Sequence, residues 1–163
     1  MTKIRNRWRE QKHDSRPHER ARQLTSDRVK ASDALKLIPQ LKDDHRAIVA
    51  DFELLRTATK QFENRSISNK RALLDRLALL LKEHFGKEER ILFPLLNRSL
   101  GSTVCDRMSI EHANMITIVT ITDEQSLPTE TSLSRLDELL RTHISTEENV
   151  LFWYLDVNDK RRD

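Results

Sequence analysis

The sequence predicts an all-α fold, an antiparallel up-down-up-down four-helix bundle with an N-terminal extension. Three observations lead there. The 163 residues include only two glycines and four prolines, with 37% apolar and 34% charged side chains, a balance that suits amphipathic helices and leaves little turn material for a sheet. Apolar residues recur at helical spacing through four stretches separated by short polar segments. One phrase also occurs twice, 59 positions apart: Leu80-Leu81-Lys82-Glu83-His84-Phe85-Gly86-Lys87-Glu88-Glu89-Arg90-Ile91-Leu92-Phe93 and Leu139-Leu140-Arg141-Thr142-His143-Ile144-Ser145-Thr146-Glu147-Glu148-Asn149-Val150-Leu151-Phe152.

Residues 1–31 read as a basic, flexible arm, because dense charge and few apolar positions offer little burial to offset the entropy of ordering. Residues 1–32 hold ten Lys or Arg against four Asp or Glu, and the rest hold 19 against 22, so the net charge of +3 belongs to the arm. The bundle is expected over 32–157, with 158–163 as a tail. Ser32-Asp33 reads as a helix cap and Pro39 as a first-turn boundary or kink, placing the first long helix over about 39–63. Asn64 to Asn69 is turn chemistry. The second helix follows through Leu73, Leu74, Leu77, Leu80, Leu81, His84, Glu88, Ile91 and Leu92, with Pro94 and Asn97 to Gly101 marking its end. A third helix is expected over about 102–122. After the loop Thr122 to Thr129, a fourth is expected over about 131–156, capped by Thr131 or Ser132.

Within each copy of the repeated phrase, a histidine and a glutamate four residues apart share one helix face. His45 and His112 are the other two histidines beyond residue 33, and each opens an apolar pattern. In an antiparallel bundle all four histidines face the axis, together with Glu88 and Glu147. Buried carboxylates without a partner cost several kcal/mol, so a cation is expected between them. Six ligands exceed what one tetrahedral zinc accepts, and thiolates are absent, so two metals sharing the carboxylates fit better. Mixed imidazole and carboxylate donors point to iron, with manganese or zinc as substitutes, and an oxo, hydroxo or water bridge between the ions.

Glu89 and Glu148 lie about 100° further around their helices and read first as exposed or interface acids. The alternative is that they accept an N–H from a ligand histidine, a role also open to Asp44 and Glu111. Tyr154 reads as a core tyrosine near the bundle end, and Ile48, Phe52, Ile116 and Leu151 as an apolar collar around the centre. The lone Cys105 reads as a reduced filler residue.

These motifs, namely Asp44-His45, His84 to Glu89 with Leu92-Phe93-Pro94, Glu111-His112, and His143 to Glu148 with Leu151-Phe152, resemble the hemerythrin-like proteins of the HHE cation-binding class over about residues 34–156. The resemblance implies a four-helix bundle around a non-haem di-iron centre. It carries over His45, His84, Glu88, His112, His143 and Glu147 as ligands, with Glu88 and Glu147 as bridges. The sequence departs from the oxygen-carrying members in having Ile116 where they have a second histidine, and a Glu at i+4 of the last helix where they have an Asp at i+5. It is similar instead to the HxxxE subgroup, whose members are associated with sensing, nitric-oxide handling, peroxide decomposition and repair of iron-sulfur clusters.

The expected ligand is therefore dioxygen, nitric oxide or peroxide, either bound or turned over, with an unnamed redox partner. The alternative is a helical interaction protein whose basic arm, with Trp8, binds nucleic acid or an acidic partner, the metal serving as a structural or redox-sensing element. His13 and His18 in the arm are weak candidates for opportunistic chelation. No window approaches the roughly 18 apolar residues of a membrane span, and no apolar leader is seen, so a cytoplasmic protein is expected.

Overall fold

The computed structural model describes residues 17–60, 67–120 and 127–160, with side chains between residues 33 and 158. Four helical rods make up the described residues. The first is α1 (Pro17–Lys60). The second joins α2 (Ile67–Lys87), a π-helical turn π1 (Glu88–Leu92) and α3 (Phe93–Leu100). The third is α4 (Ser102–Thr120). The fourth joins α5 (Glu130–Thr146), a second π-helical turn π2 (Glu147–Leu151) and α6 (Phe152–Lys160). Each rod packs on the next and the fourth returns to the first, closing an antiparallel four-helix bundle.

Several boundaries differ from expectation for identifiable reasons. The first helix starts at Pro17 rather than near residue 39, so Ser32 and Asp33 lie in a helix interior and not at its start. The stretch from Arg20 to Lys30 is rich in Arg, Ala, Gln and Leu, all good helix formers, so the helix runs on into the segment read as an arm. Pro39 sits inside α1 on its exposed side, where water can serve the carbonyl of Leu35 that a proline leaves without an amide. Residues 1–16, including Trp8 and His13, lie outside the described residues, as does the side chain of His18.

Pro94 does not end the second rod either. The π turn closes with the Phe93 N–H donating to the Glu88 carbonyl, five residues back. This widened turn already disturbs the hydrogen-bond ladder, and Pro94, which has no amide, follows directly after it. The rod stops at Gly101, whose φ of 81° favours glycine. The fourth rod is capped by Thr129, not Thr131 or Ser132: the Thr129 hydroxyl accepts from the Ser132 N–H at 3.1 Å.

Two apolar clusters fill the bundle. One holds Ile48, Phe52, Leu55, Leu74, Leu77, Leu81, Met115, Val119, Leu133, Leu136 and Leu140 among its members. The other holds Ala34, Leu37, Leu41, Leu92, Phe93, Leu96, Cys105, Met108, Leu151 and Phe152. Every rod contributes to both, and on every rod a histidine lies where the chain passes from one cluster to the other. Buried Cys105 donates its thiol to the Phe93 carbonyl at 3.7 Å, and burial pushes its pKa up, as suits an inert filler. Partly buried Tyr154 packs against the second cluster. In α4 Ile116 is partly buried and packs against the first cluster as expected, and Met115 next to it is fully buried within that cluster.

The π turns also correct the apolar stripe. Ile91, expected on the buried face, is 39% exposed, and Val150 at the equivalent position is 53% exposed. The extra residue in each turn moves the stripe by one, so Leu92-Phe93 and Leu151-Phe152 face inward instead.

Candidate metal centre

Between the two clusters lies a single polar layer. His45, His84, His112 and His143 are each no more than 3% exposed, and Glu88 and Glu147 are fully buried. All six residues singled out by the sequence meet there. They form two overlapping sets, His45, His84, Glu88 and Glu147, and His112, His143, Glu88 and Glu147. Within each set one donor atom per residue lies within 4.8 Å of all the others.

The two sets are related by the repeat. His45 Nε2 lies 3.1 Å from His84 Nε2, and His112 Nε2 lies 3.2 Å from His143 Nε2. Glu88 directs Oε1 at His84 Nε2 (3.0 Å) and Oε2 at His112 Nε2 (3.2 Å). Glu147 directs Oε2 at His45 Nε2 (3.0 Å) and Oε1 at His143 Nε2 (3.4 Å). Each carboxylate thus offers one oxygen to each histidine pair.

The outer imidazole nitrogens are held by four acids, each from a different helix. His45 Nδ1 donates to Glu148 Oε1 at 2.7 Å, and His112 Nδ1 to Glu89 Oε1 at 2.8 Å. His143 Nδ1 donates to Glu111 Oε2 at 3.2 Å, and His84 Nδ1 faces Asp44 Oδ2 at 3.5 Å. Glu89 and Glu148 are therefore not free surface acids. Each stays partly exposed while one oxygen turns in to an imidazole on a neighbouring rod. With the Nδ1 protons directed at carboxylates, the Nε2 lone pairs turn toward the centre, which is the tautomer that binds a metal.

A cation suits this donor set. Glu88 Oε1, Glu88 Oε2 and Glu147 Oε1 are buried and lack any hydrogen-bond partner. Opposed imidazole lone pairs about 3 Å apart repel unless a proton or a metal lies between them. Against burial, neighbouring carboxylates raise the pKa of one imidazole of each pair. Burial pushes the His143 pKa down, but the Glu147 and Glu88 carboxylates beside it outweigh this and raise it to about 10. Burial likewise opposes the raised pKa of His45, which Glu147 and Glu148 hold up. For Glu88, burial would raise the pKa, yet the surrounding His112, His143 and His84 hold it well below the usual carboxylate range.

Aromatic rings complete the walls. Phe85 stacks on His112 with centroids 3.8 Å apart and planes 7° apart, and Phe93 lies near-parallel to the same imidazole at 5.5 Å. Phe152 stacks on His45 at 6.0 Å. Phe93 and Phe152 end the two copies of the repeated phrase, so that signal was available. Phe85 was not found, because Ile144 replaces it in the second copy.

The Hemerythrin HHE cation binding domain matches residues 36–155. The iron-sulfur cluster repair protein YtfE of Enterobacter sp. (strain 638) is 28% identical over 135 residues, which cover 71% of this chain and 61% of that protein. The chain thus spans less than two thirds of its relative's length. No solved structure matches it. Among the described residues, no helix is long and apolar enough to cross a membrane. With a family match over most of its length and a histidine-glutamate layer of the kind that binds cations, the chain belongs to the hemerythrin HHE cation-binding family.

Proposed function

We propose that the chain is a non-haem di-iron protein that takes dioxygen, nitric oxide or peroxide at its centre. The observation that carries this reading is the sharing of Glu88 and Glu147 between two histidine pairs. His45 and His84 would hold one iron and His112 and His143 the other, each completed by one oxygen from each glutamate. With four protein donors each, such ions would keep coordination positions open to a small exogenous ligand. Iron bound there supplies one-electron chemistry and exchangeable coordination positions.

The chain's own residues limit what can react. Glu148, Glu89 and Glu111 fix the tautomers of His45, His112 and His143, so these donors are in place before metal arrives, and Asp44 faces the Nδ1 of His84 at 3.5 Å. Phe85, Phe93 and Phe152 and the two apolar clusters keep the layer dry, which favours diatomic molecules and peroxide over larger substrates. A relative named for the repair of iron-sulfur clusters supports a role connected with iron chemistry, and we propose that this chain acts where iron-sulfur clusters are repaired.

Elemental analysis after anaerobic reconstitution with ferrous iron tests the metal. About two irons per chain are expected, and near-zero iron would overturn the reading. Exposure of the loaded chain to nitric oxide, peroxide and oxygen in turn should change its visible absorption with at least one of them. Silence with all three would remove the small-molecule role.

A further inference from the structure

The two halves of the centre match closely except around His84 and His143. His143 Nδ1 donates to Glu111 Oε2 at 3.2 Å, while Arg107 holds the other oxygen of that carboxylate, Oε1, at 3.1 Å. His84 Nδ1 faces Asp44 Oδ2 at 3.5 Å, and Lys87 Nζ takes that same oxygen at 2.7 Å. The ammonium and the imidazole therefore share one oxygen, whose charge the much closer ammonium draws on more strongly.

The sequence supplies the cause. Aspartate is one methylene shorter than the glutamate at the equivalent place. The position matching Lys87 in the second half is Thr146, whose hydroxyl donates to the Thr142 carbonyl and leaves the centre alone. Lys87 is also better buried than Arg107, with side chains 24% and 77% exposed, so its charge is less screened. In addition, Phe85 stacks tightly on His112, and the residue that matches it in the second copy of the phrase is Ile144.

An imidazole that donates strongly to a carboxylate becomes a better donor at its other nitrogen and is held in one orientation. His143 has that support and His84 has little of it. We infer that the two metal positions are unequal, and that Lys87, by occupying Asp44, makes the His45–His84 position the weaker and more exchangeable of the two. This rests on the di-metal reading above. Lys87 is a positioning residue, acting on the metal only through Asp44 and His84.

Two ions sharing carboxylates repel each other, so two-step loading alone would not separate the positions. Cobalt(II) titrated into metal-free full-length chain and followed by its visible absorption can do so with single-position variants. His143→Ala keeps the His45–His84 pair, and His84→Ala keeps the His112–His143 pair. The first should bind one cobalt about 10-fold more weakly than the second, the lower end of what outer-shell partners contribute.

Adding Lys87→Met to His143→Ala should recover most of that difference, and adding it to His84→Ala should change little. Equal affinities of the two histidine variants would overturn the inference. So would a Lys87→Met effect of the same size in both backgrounds, which would mark a general charge effect. In the otherwise unaltered chain, Lys87→Met should slow the loss of the first of two cobalt ions to a chelator, and an unchanged rate would also overturn it. Failure of the unaltered chain to bind cobalt at all would instead sink the di-metal reading itself.

Discussion

The polar layer and the apolar clusters on either side of it are built from the same four rods and are equally buried, yet they bear on stability through different forces. A fully buried leucine such as Leu74 or Leu81 stabilises the fold by roughly 1.5–3 kcal/mol through the hydrophobic effect alone. Glu88 and Glu147 bring desolvated charge into the same interior, and three of their four oxygens lack hydrogen bonds. The clusters therefore stabilise the fold at any pH, whereas the layer contributes only as far as its charges are paired. Such an arrangement suits a site whose residues are kept for ligation rather than for packing.

The largest test separates the two directly. Replacing both bridging acids, Glu88→Gln with Glu147→Gln, should abolish metal loading by elemental analysis while the helical circular dichroism of the chain persists. Retained iron at two per chain would break the contrast. Leu81→Ala works from the other side: it should cost about 2–5 kcal/mol in urea denaturation of the metal-free chain, with iron content per folded chain unchanged.

Acidity sharpens the comparison further. His143, with a folded-state pKa of about 10 against an ordinary 6.5, stabilises the metal-free chain fully below about pH 6.5, and this contribution is lost as pH rises toward 10. Glu88, with its pKa lowered, contributes above the ordinary carboxylate value of 4.5, and that contribution is lost as the solution is acidified further. The thermal midpoint of the metal-free chain should accordingly fall between pH 6.5 and 10. Metal binding requires neutral imidazoles, so affinity should rise over the lower part of that range, the opposite sign. A flat midpoint in the metal-free chain would mean that His143 is not paired with Glu147 and Glu88. The smallest effect belongs to neither region: Thr129→Ala should cost about 1 kcal/mol through the lost cap and leave iron content alone.

The six residues of the layer were legible because a repeated phrase with a histidine and a glutamate at i and i+4 leaves little freedom: on a helix they must share a face. His45 and His112 followed from the apolar stripes that they open. The roles of Glu89 and Glu148 were only half legible, because an angular offset on one helix says nothing about a neighbouring rod. Glu89 meets His112 and Glu148 meets His45 across the bundle, contacts that depend on how the rods are docked. The π turns were hidden for a related reason. Periodicity assumes a constant step, and a single widened turn preserves the pattern on each side while displacing one half against the other, so Ile91 was placed inside and Phe93 left without a role.

Each widened turn falls where its rod passes from one apolar cluster to the other, and this makes the spacing there a matter of counting rather than of chemistry. Closing either turn, Glu88–Leu92 or Glu147–Leu151, into regular α-helix with no residue removed would rotate everything beyond it by about 100°. Leu92 and Phe93, or Leu151 and Phe152, would then swing toward solvent, although no side chain in the far segment had been altered. In these two turns the protein should accept a one-residue deletion, which restores regular α-helix with the far face still turned inward, more readily than a one-residue insertion.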